Sequence, residues 1–102
     1  MAQFDLFRHA RSKRYPFLVD LQADLLRDLV TRVVAPLTAV KRLRGKPIGR
    51  LNPIVEVEGT EYAVLFQELA ALPVTALGAA AGSLHTRRDE LVAALDLLFT
   101  GI

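Results

Sequence analysis

Catalysis or metal binding needs a nucleophile, an acid or base, or a ligand set, and few side chains here qualify. Cysteine is absent and the only histidines are His9 and His85, neither beside a second ligand type at a metal-binding spacing. Both read as plain surface residues. Asp20, Asp24 and Asp28 recur every four residues, an acid stripe if the segment were helical. With no His or Glu partner they read as solvated acids near a strand-to-turn junction rather than a cation site. Gly45 and Gly49 lie inside a Lys/Arg loop instead of between a strand and a helix, so no phosphate-binding glycine pattern is present. The material for a catalytic site is thin, and no metal or cofactor is expected.

What remains is charge. Residues 1–52 carry eleven Lys and Arg against four Asp, a balance of +7, while residues 53–102 carry two Arg against seven acids, −5. The basic residues concentrate in His9–Arg14, with Arg11, Lys13 and Arg14, and in Lys41–Arg50, with Arg42, Arg44, Lys46 and Arg50. Such loops attract phosphate or carboxylate partners in a salt-sensitive way. Only Tyr15 and Phe17 adjoin the first cluster, so base stacking is poorly supported. Nucleic acid, an acidic polypeptide, and solvated loops with no partner all stay open at this point.

These residues must be positioned by a single domain, residues 1–102, large enough for one core. A hydrophobic fraction of 52% favours a second copy to cover apolar surface. The lack of cysteine suits a reducing cytoplasm, and Met1–Arg14 lacks the apolar run of a signal peptide. The longest uncharged stretch, Leu69–Leu84, is interrupted by Pro73, Gly78 and Gly82 and is shorter than the roughly 20 residues that span a bilayer. A soluble, cytoplasmic protein is expected.

The β-rich segments read as Gln3–Arg8, Phe17–Leu21, Val30–Leu37, Ile54–Val57 and Tyr62–Leu65, with Val74–Leu77 a possible last short strand. Pro36 is expected at an edge or bulge. Glu58-Gly59-Thr60-Glu61 joins two of these runs as a hairpin. Lys41–Arg50, with its glycines and proline, reads as a mobile surface loop. From Ser83 onward the pattern turns helical: Leu84, Leu91, Leu95, Leu98 and Ile102 share a stripe, Ser83 or Thr86 is a candidate cap, and Thr86 with Asp89 has capping-box spacing. Gly101 is placed to end a helix of about 84–99. Ile102 beyond it either folds back on the core or meets a partner. The fold expected is mainly β with one C-terminal helix, a small antiparallel partial barrel.

Taken together, Gln3-Phe4, Phe17–Leu26, Arg32–Leu37, Leu51–Val55, Leu72-Pro-Val74 and Ala94–Ile102 resemble, in order and spacing, the CcdB family of gyrase-poisoning toxins. The resemblance implies an SH3-like barrel of the CcdB/MazF type in a two-fold dimer. It implies a type II toxin, not an enzyme and without catalytic residues, that binds the A subunit of DNA gyrase and traps the gyrase-cleaved DNA complex, contacting DNA only indirectly. It further implies a cognate antitoxin whose disordered C-terminal segment strips the toxin off. The gyrase-contacting positions carry over to Gln3, Phe4, Ala23, Leu25, Asp96, Thr100, Gly101 and Ile102. The antitoxin loops correspond to His9–Pro16 and Val40–Asn52, and so to Arg11, Lys13, Arg14, Arg42, Arg44, Lys46 and Arg50. The best-known member has Trp at the position of Thr100, and the family has Asn at that of Asp96. Two alternatives are an endoribonuclease toxin of the same barrel fold, against which the lack of an acid/base pair around the Arg-rich loop speaks, and an inactive relative that only binds antitoxin.

Overall fold

A computed structural model describes residues 2–102. Seven strands are followed by one helix: β1 Asp5–Arg8, β2 Phe17–Asp20, β3 Thr31–Ala39, β4 Ile54–Val57, β5 Thr60–Val64, β6 Ala70–Pro73, β7 Ala80–Ser83 and α1 Arg88–Thr100. All pairings are antiparallel, in the order β4-β5-β3-β2-β1-β7, with β6 added to the free half of one edge of β3. The sheet curls into a half-barrel, as expected, and α1 closes its open side.

The hairpin between β4 and β5 turns on Glu58 and Gly59, both at positive φ (52° and 81°). That is the two-residue turn whose twist matches antiparallel strands. β3 holds the middle of the sheet. One edge pairs with β2 from Val34 to Leu37, while the other pairs with β6 over Thr31–Val34 and with β5 over Leu37–Ala39. Pro36 therefore sits in a central strand, contrary to the edge position expected of it. It is tolerated because it falls between the β6 and β5 pairings, where its carbonyl accepts from the Leu65 amide at 2.9 Å and no donor is required of it.

Two further expectations fail for reasons of context. Val74–Leu77 is no strand: Val74–Ala76 forms a 3-10 turn, and the strands lie on either side, in Ala/Gly-rich segments that pairing rather than propensity makes extended. The helix is shorter at its start than expected, with residues 85–87 in a 3-10 turn and no side-chain cap on α1. Ser83 Oγ accepts from the His85 amide at 3.1 Å and the Thr86–Asp89 box does not form. Instead Arg87 pairs with Glu90 at 2.6 Å and donates to the Ile54 carbonyl at 2.9 Å, tying the helix start to β4. The Arg87 hydrogen bond holds the Glu90 carboxyl below its ordinary range.

The core joins Phe4, Phe17, Leu37, Val55, Val64 and Phe66 of the sheet side to Leu84, Leu91 and Ala94 of the helix side. Each fully buried leucine or phenylalanine contributes about 2 kcal/mol by leaving water. Leu95 and Leu98 pack partly against the same cluster. The apolar stripe of the helix thus faces inward until its last member, Ile102, which stays 79% exposed instead of folding back.

Asp20, expected as a solvated acid, is fully buried, as is Arg32 of β3. The Arg32 Nε lies 3.6 Å from Asp20 Oδ2, and Asp20 Oδ1 accepts the Gln22 amide at 2.9 Å. Burial pushes the Asp20 carboxyl up, while the Gln22 amide and the Arg32 charge pull it back in part. A carboxyl with a raised folded pKa contributes stability that is fully present below its ordinary value of 3.8 and lost as pH rises through the folded value. Denaturant titrations of wild type and Asp20→Asn between about pH 3 and pH 7 check this. The wild type is expected to lose stability relative to the variant as pH rises, and a difference independent of pH would contradict the burial of a titrating carboxyl.

Candidate partner-binding site

The residues carried over from the family resemblance fall into two groups, one around the first turn of the chain and one at the end of α1. In the first, the Asp5 amide donates to the Ala2 carbonyl at 3.0 Å, closing a β-turn with Gln3 and Phe4 at its centre. Phe4 stands at φ 70°, a conformation that costs a non-glycine residue on the order of 1 kcal/mol. The turn is held from several sides. The Phe4 amide donates to the Asp20 carbonyl at 2.6 Å and its carbonyl accepts from Leu84 at 2.8 Å. The Gln3 amide donates to Asp24 Oδ1 at 2.6 Å and its side chain to the Leu21 carbonyl at 3.1 Å. The ring of Phe4 is wholly inside the core. Phe4 therefore supports this surface from beneath, and Gln3 is the member of the pair that reaches solvent.

Asp24 links that turn to the segment after β2. Ala23 precedes a 3-10 turn at Asp24–Leu26, which lifts Leu25 to 91% exposure, and Leu26, Leu29 and Val30 are exposed as well. Single exposed leucines are ordinary on a protein surface, but four large apolar side chains within six residues form a patch. Leu26, Leu29 and Val30 are not among the site residues the sequence suggests; at about 100° per residue they would share one helix face with Leu25, but the segment forms no α-helix and leaves them exposed.

At the other group, Gly101 takes the left-handed conformation (φ 75°) and donates to the Leu97 carbonyl at 3.0 Å, ending the helix as its sequence predicts. The Thr100 hydroxyl donates back to the Asp96 carbonyl at 2.6 Å, the usual fate of a helical threonine. Asp96, Thr100 and Ile102 are all exposed, and so is Phe99. Among the described residues no hydrogen bond or ion pair joins this group to the first.

The two basic stretches do converge. Arg14, Arg42, Arg44 and Lys46 surround a cavity of about 180 Å³ that also includes Tyr15 and Glu68. Lys13 and Arg42 border a second of about 250 Å³ beside Tyr62, and Lys46 and Arg50 border an open groove of about 780 Å³ across from Asp89 and Glu90. Arg11 is exposed and borders none of these three. The longer loop is more structured than expected, with 3-10 turns at Val40–Arg42 and Gly49–Leu51. Buried Asn52 pins it, accepting from the Ile48 amide at 2.9 Å and donating to the Val64 carbonyl at 3.2 Å and Gln67 Oε1 at 2.8 Å. Arg50 reaches further and donates to the Ile102 carbonyl at 3.2 Å, touching both the basic ridge and the helix end.

His9 is half-buried with Nδ1 3.1 Å from the Tyr15 carbonyl, and His85 is exposed. Among the described residues no group of three or more His, Asp or Glu side chains could hold a metal ion. No helix of the described chain is long and apolar enough to cross a membrane. The arrangement presents two apolar surfaces and a positively charged ridge, which is equipment for binding. Compared with known protein families, residues 3–101 match the family described as CcdB protein.

The burial of Phe4 and the exposure of Leu25 make opposite demands. Phe4→Ala is expected to lower unfolding free energy by about 3–5 kcal/mol, whereas Leu25→Ala should change it by about 0.5 kcal/mol or less. Thermal and denaturant unfolding of the two variants checks this. Equal losses would mean that Leu25 is covered in solution.

Proposed function

Because the chain belongs to the CcdB family, the toxins of toxin–antitoxin systems, we propose that it binds the A subunit of DNA gyrase and holds the enzyme on cleaved DNA. In this reading it acts by binding alone, and gyrase's own covalent DNA intermediate becomes the lesion. The observation that carries it is the pair of exposed apolar ends, Leu25 at 91% and Ile102 at 79% exposure, at positions to which the sequence resemblance carries gyrase contacts. Gln3, Ala23, Asp96, Thr100 and Gly101 surround these ends, and Phe4 fixes the first from below.

A two-fold dimer is part of the proposal. The second copy would bring one subunit's helix end to its partner's and cover apolar surface such as Phe99 and Val30. Among the described residues strand β6, Ala70–Pro73, pairs with β3 alone and carries no charge, so its outer edge offers unpaired backbone groups of the kind that invite another chain. With Thr100 in place of a tryptophan, less apolar area is available at the axis, and more of the affinity falls on Ile102 and Leu25.

The basic ridge of Lys13, Arg14, Arg42, Arg44, Lys46 and Arg50, with Arg11 nearby, is assigned to an acidic, flexible antitoxin segment. Charge steers the encounter, and contact along a long surface offsets the cost of ordering the segment. A cytoplasmic location follows from both partners.

Purified gyrase incubated with this protein is expected to accumulate cleaved DNA. Neither cleavage nor A-subunit binding at about micromolar protein, a generous level for a specific complex, would overturn the proposal. Removing residues 101 and 102 should abolish A-subunit binding with only a small drop in thermal midpoint, since both lie past the helix and give up one helix-end hydrogen bond and the exposed contact with Arg50. A lost unfolding transition would instead make the end structural. Charge reversal at Arg42, Arg44 and Lys46 together should weaken an acidic antitoxin peptide far more than gyrase and flatten the salt dependence of that binding. Equal losses for both partners would contradict the division of surfaces.

A further inference from the structure

The segment between β2 and β3 carries Ala23 and Leu25 into solvent, yet it has little apolar anchorage of its own, since residues 23–31 are all exposed. What holds it is polar: the Gln3 amide on Asp24 Oδ1 at 2.6 Å, the Val74 amide on the Val30 carbonyl at 2.9 Å, and a set of bonds at its base. The Leu21 amide donates to the Val33 carbonyl at 2.9 Å, closing the loop where the strands separate. Just inside that closure lies Gln22, whose residue is only 8% exposed. Its side-chain Nε2 donates to the Leu26 carbonyl at 2.9 Å. Its Oε1 accepts from the Val33 amide at 3.2 Å, and its backbone amide donates to buried Asp20 Oδ1 at 2.9 Å.

One carboxamide thus spans the loop from β3 to the last residue of the 3-10 turn that displays Leu25. A carboxamide suits this place because one end must donate and the other accept; a carboxylate only accepts and a thioether does neither well. Gln22 is buried and both bonds are part-buried, so water replaces a lost bond only incompletely. We propose that Gln22 is a positioning residue for partner recognition: its side chain straps the Leu21–Val30 loop so that Ala23 and Leu25 are held in one arrangement before a partner arrives. An apolar loop ordered in advance binds without the entropy cost of ordering it on contact. The proposal rests on the reading of Ala23 and Leu25 as gyrase-facing, and it adds a residue that does not itself touch the partner.

Two variants of the full chain test it, with amide hydrogen exchange and A-subunit binding measured on each. In Gln22→Met, of similar length, exchange at residues 23–27 should speed up by about tenfold and A-subunit affinity should fall by a similar factor, the size of one or two net hydrogen bonds. Amides of β2 and β5 should keep their protection. Gln22→Glu supplies a test within a single molecule. Its ionised carboxylate cannot donate to Leu26, but the protonated form can, so loop protection and affinity should recover as pH is lowered. Wild type is titrated alongside to subtract the response of Asp5, Asp20 and Asp24 near the pair with Arg32. The methionine variant should show no such recovery.

Unchanged exchange at residues 23–27 in Gln22→Met would overturn the strap whatever gyrase does. Faster exchange with unaltered A-subunit affinity would overturn the positioning role. If Gln22→Met fails to fold, absence of pH rescue in Gln22→Glu overturns the proposal by itself. A wild-type chain that does not bind the A subunit would defeat the functional reading, and with it the positioning role, while the exchange arm would still decide how the loop is held.

Discussion

Strand β3 is hydrogen-bonded along both edges, and the rest of the molecule takes its place from that fact. Its nine residues serve three neighbouring strands: β2 on one side, β5 and β6 in succession on the other. The register with β2 sets where the loop after Asp20 begins. The division between β5 and β6 lets the sheet bend, because two partners on one edge need not lie in one plane. Pro36 marks the division, where a residue without an amide proton does no damage. The curl made possible there leaves an open side, which Leu91 and Ala94 of α1 fill.

Polar groups then decide what is presented outside. Asp20 and Arg32 are buried together at the end of the β2–β3 pairing, and Gln22 and Asp24 continue the network outward to the loop and to the first turn of the chain. A buried ion pair of this kind offers little net stability, because desolvation cancels much of the attraction. Its effect lies in geometry. The backbone strain at Phe4 belongs to the same neighbourhood, and it persists because the ring below and the hydrogen bonds around leave the turn no alternative. The apolar side chains that face solvent are therefore held by hydrogen bonds that run from buried Asp20 outward to the exposed contact between Gln3 and Asp24.

The charged side of the protein follows another logic. Arginines and lysines from two separated stretches meet because Thr38 of β3 holds the Arg14 carbonyl at 3.0 Å while Asn52 pins the longer loop behind them. Arg14 stacks over Tyr15, with its guanidinium carbon 5.5 Å from the ring centre. The ridge has shape as well as charge, and Arg50 at its end touches Ile102. Surfaces that would serve two different partners thus lie side by side.

Much of this was legible in the chain. Alternation and β-branching located β2, β3 and β4 within a residue or two, Glu58-Gly59 declared the hairpin, and the leucine spacing with Gly101 located the helix and its end, because these signals act through nearest neighbours. The segregation of charge was legible in the same way. Alternation along β3 puts Arg32 with Val34 on the face opposite Ala35 and Leu37 of the main core, and a charged residue there is read as exposed until its partner is seen. What only the tertiary structure decided was everything that depends on residues distant in sequence. Asp20 became a buried acid because Arg32 lies across from it. Ala/Gly-rich β6 and β7 became strands because β3 and β1 offered open edges, and Phe4 turned inward because the core had room for a ring and the turn had partners to hold it. Local sequence specifies which conformations are cheap, whereas the closing of the sheet on the helix selects which side chains lose water.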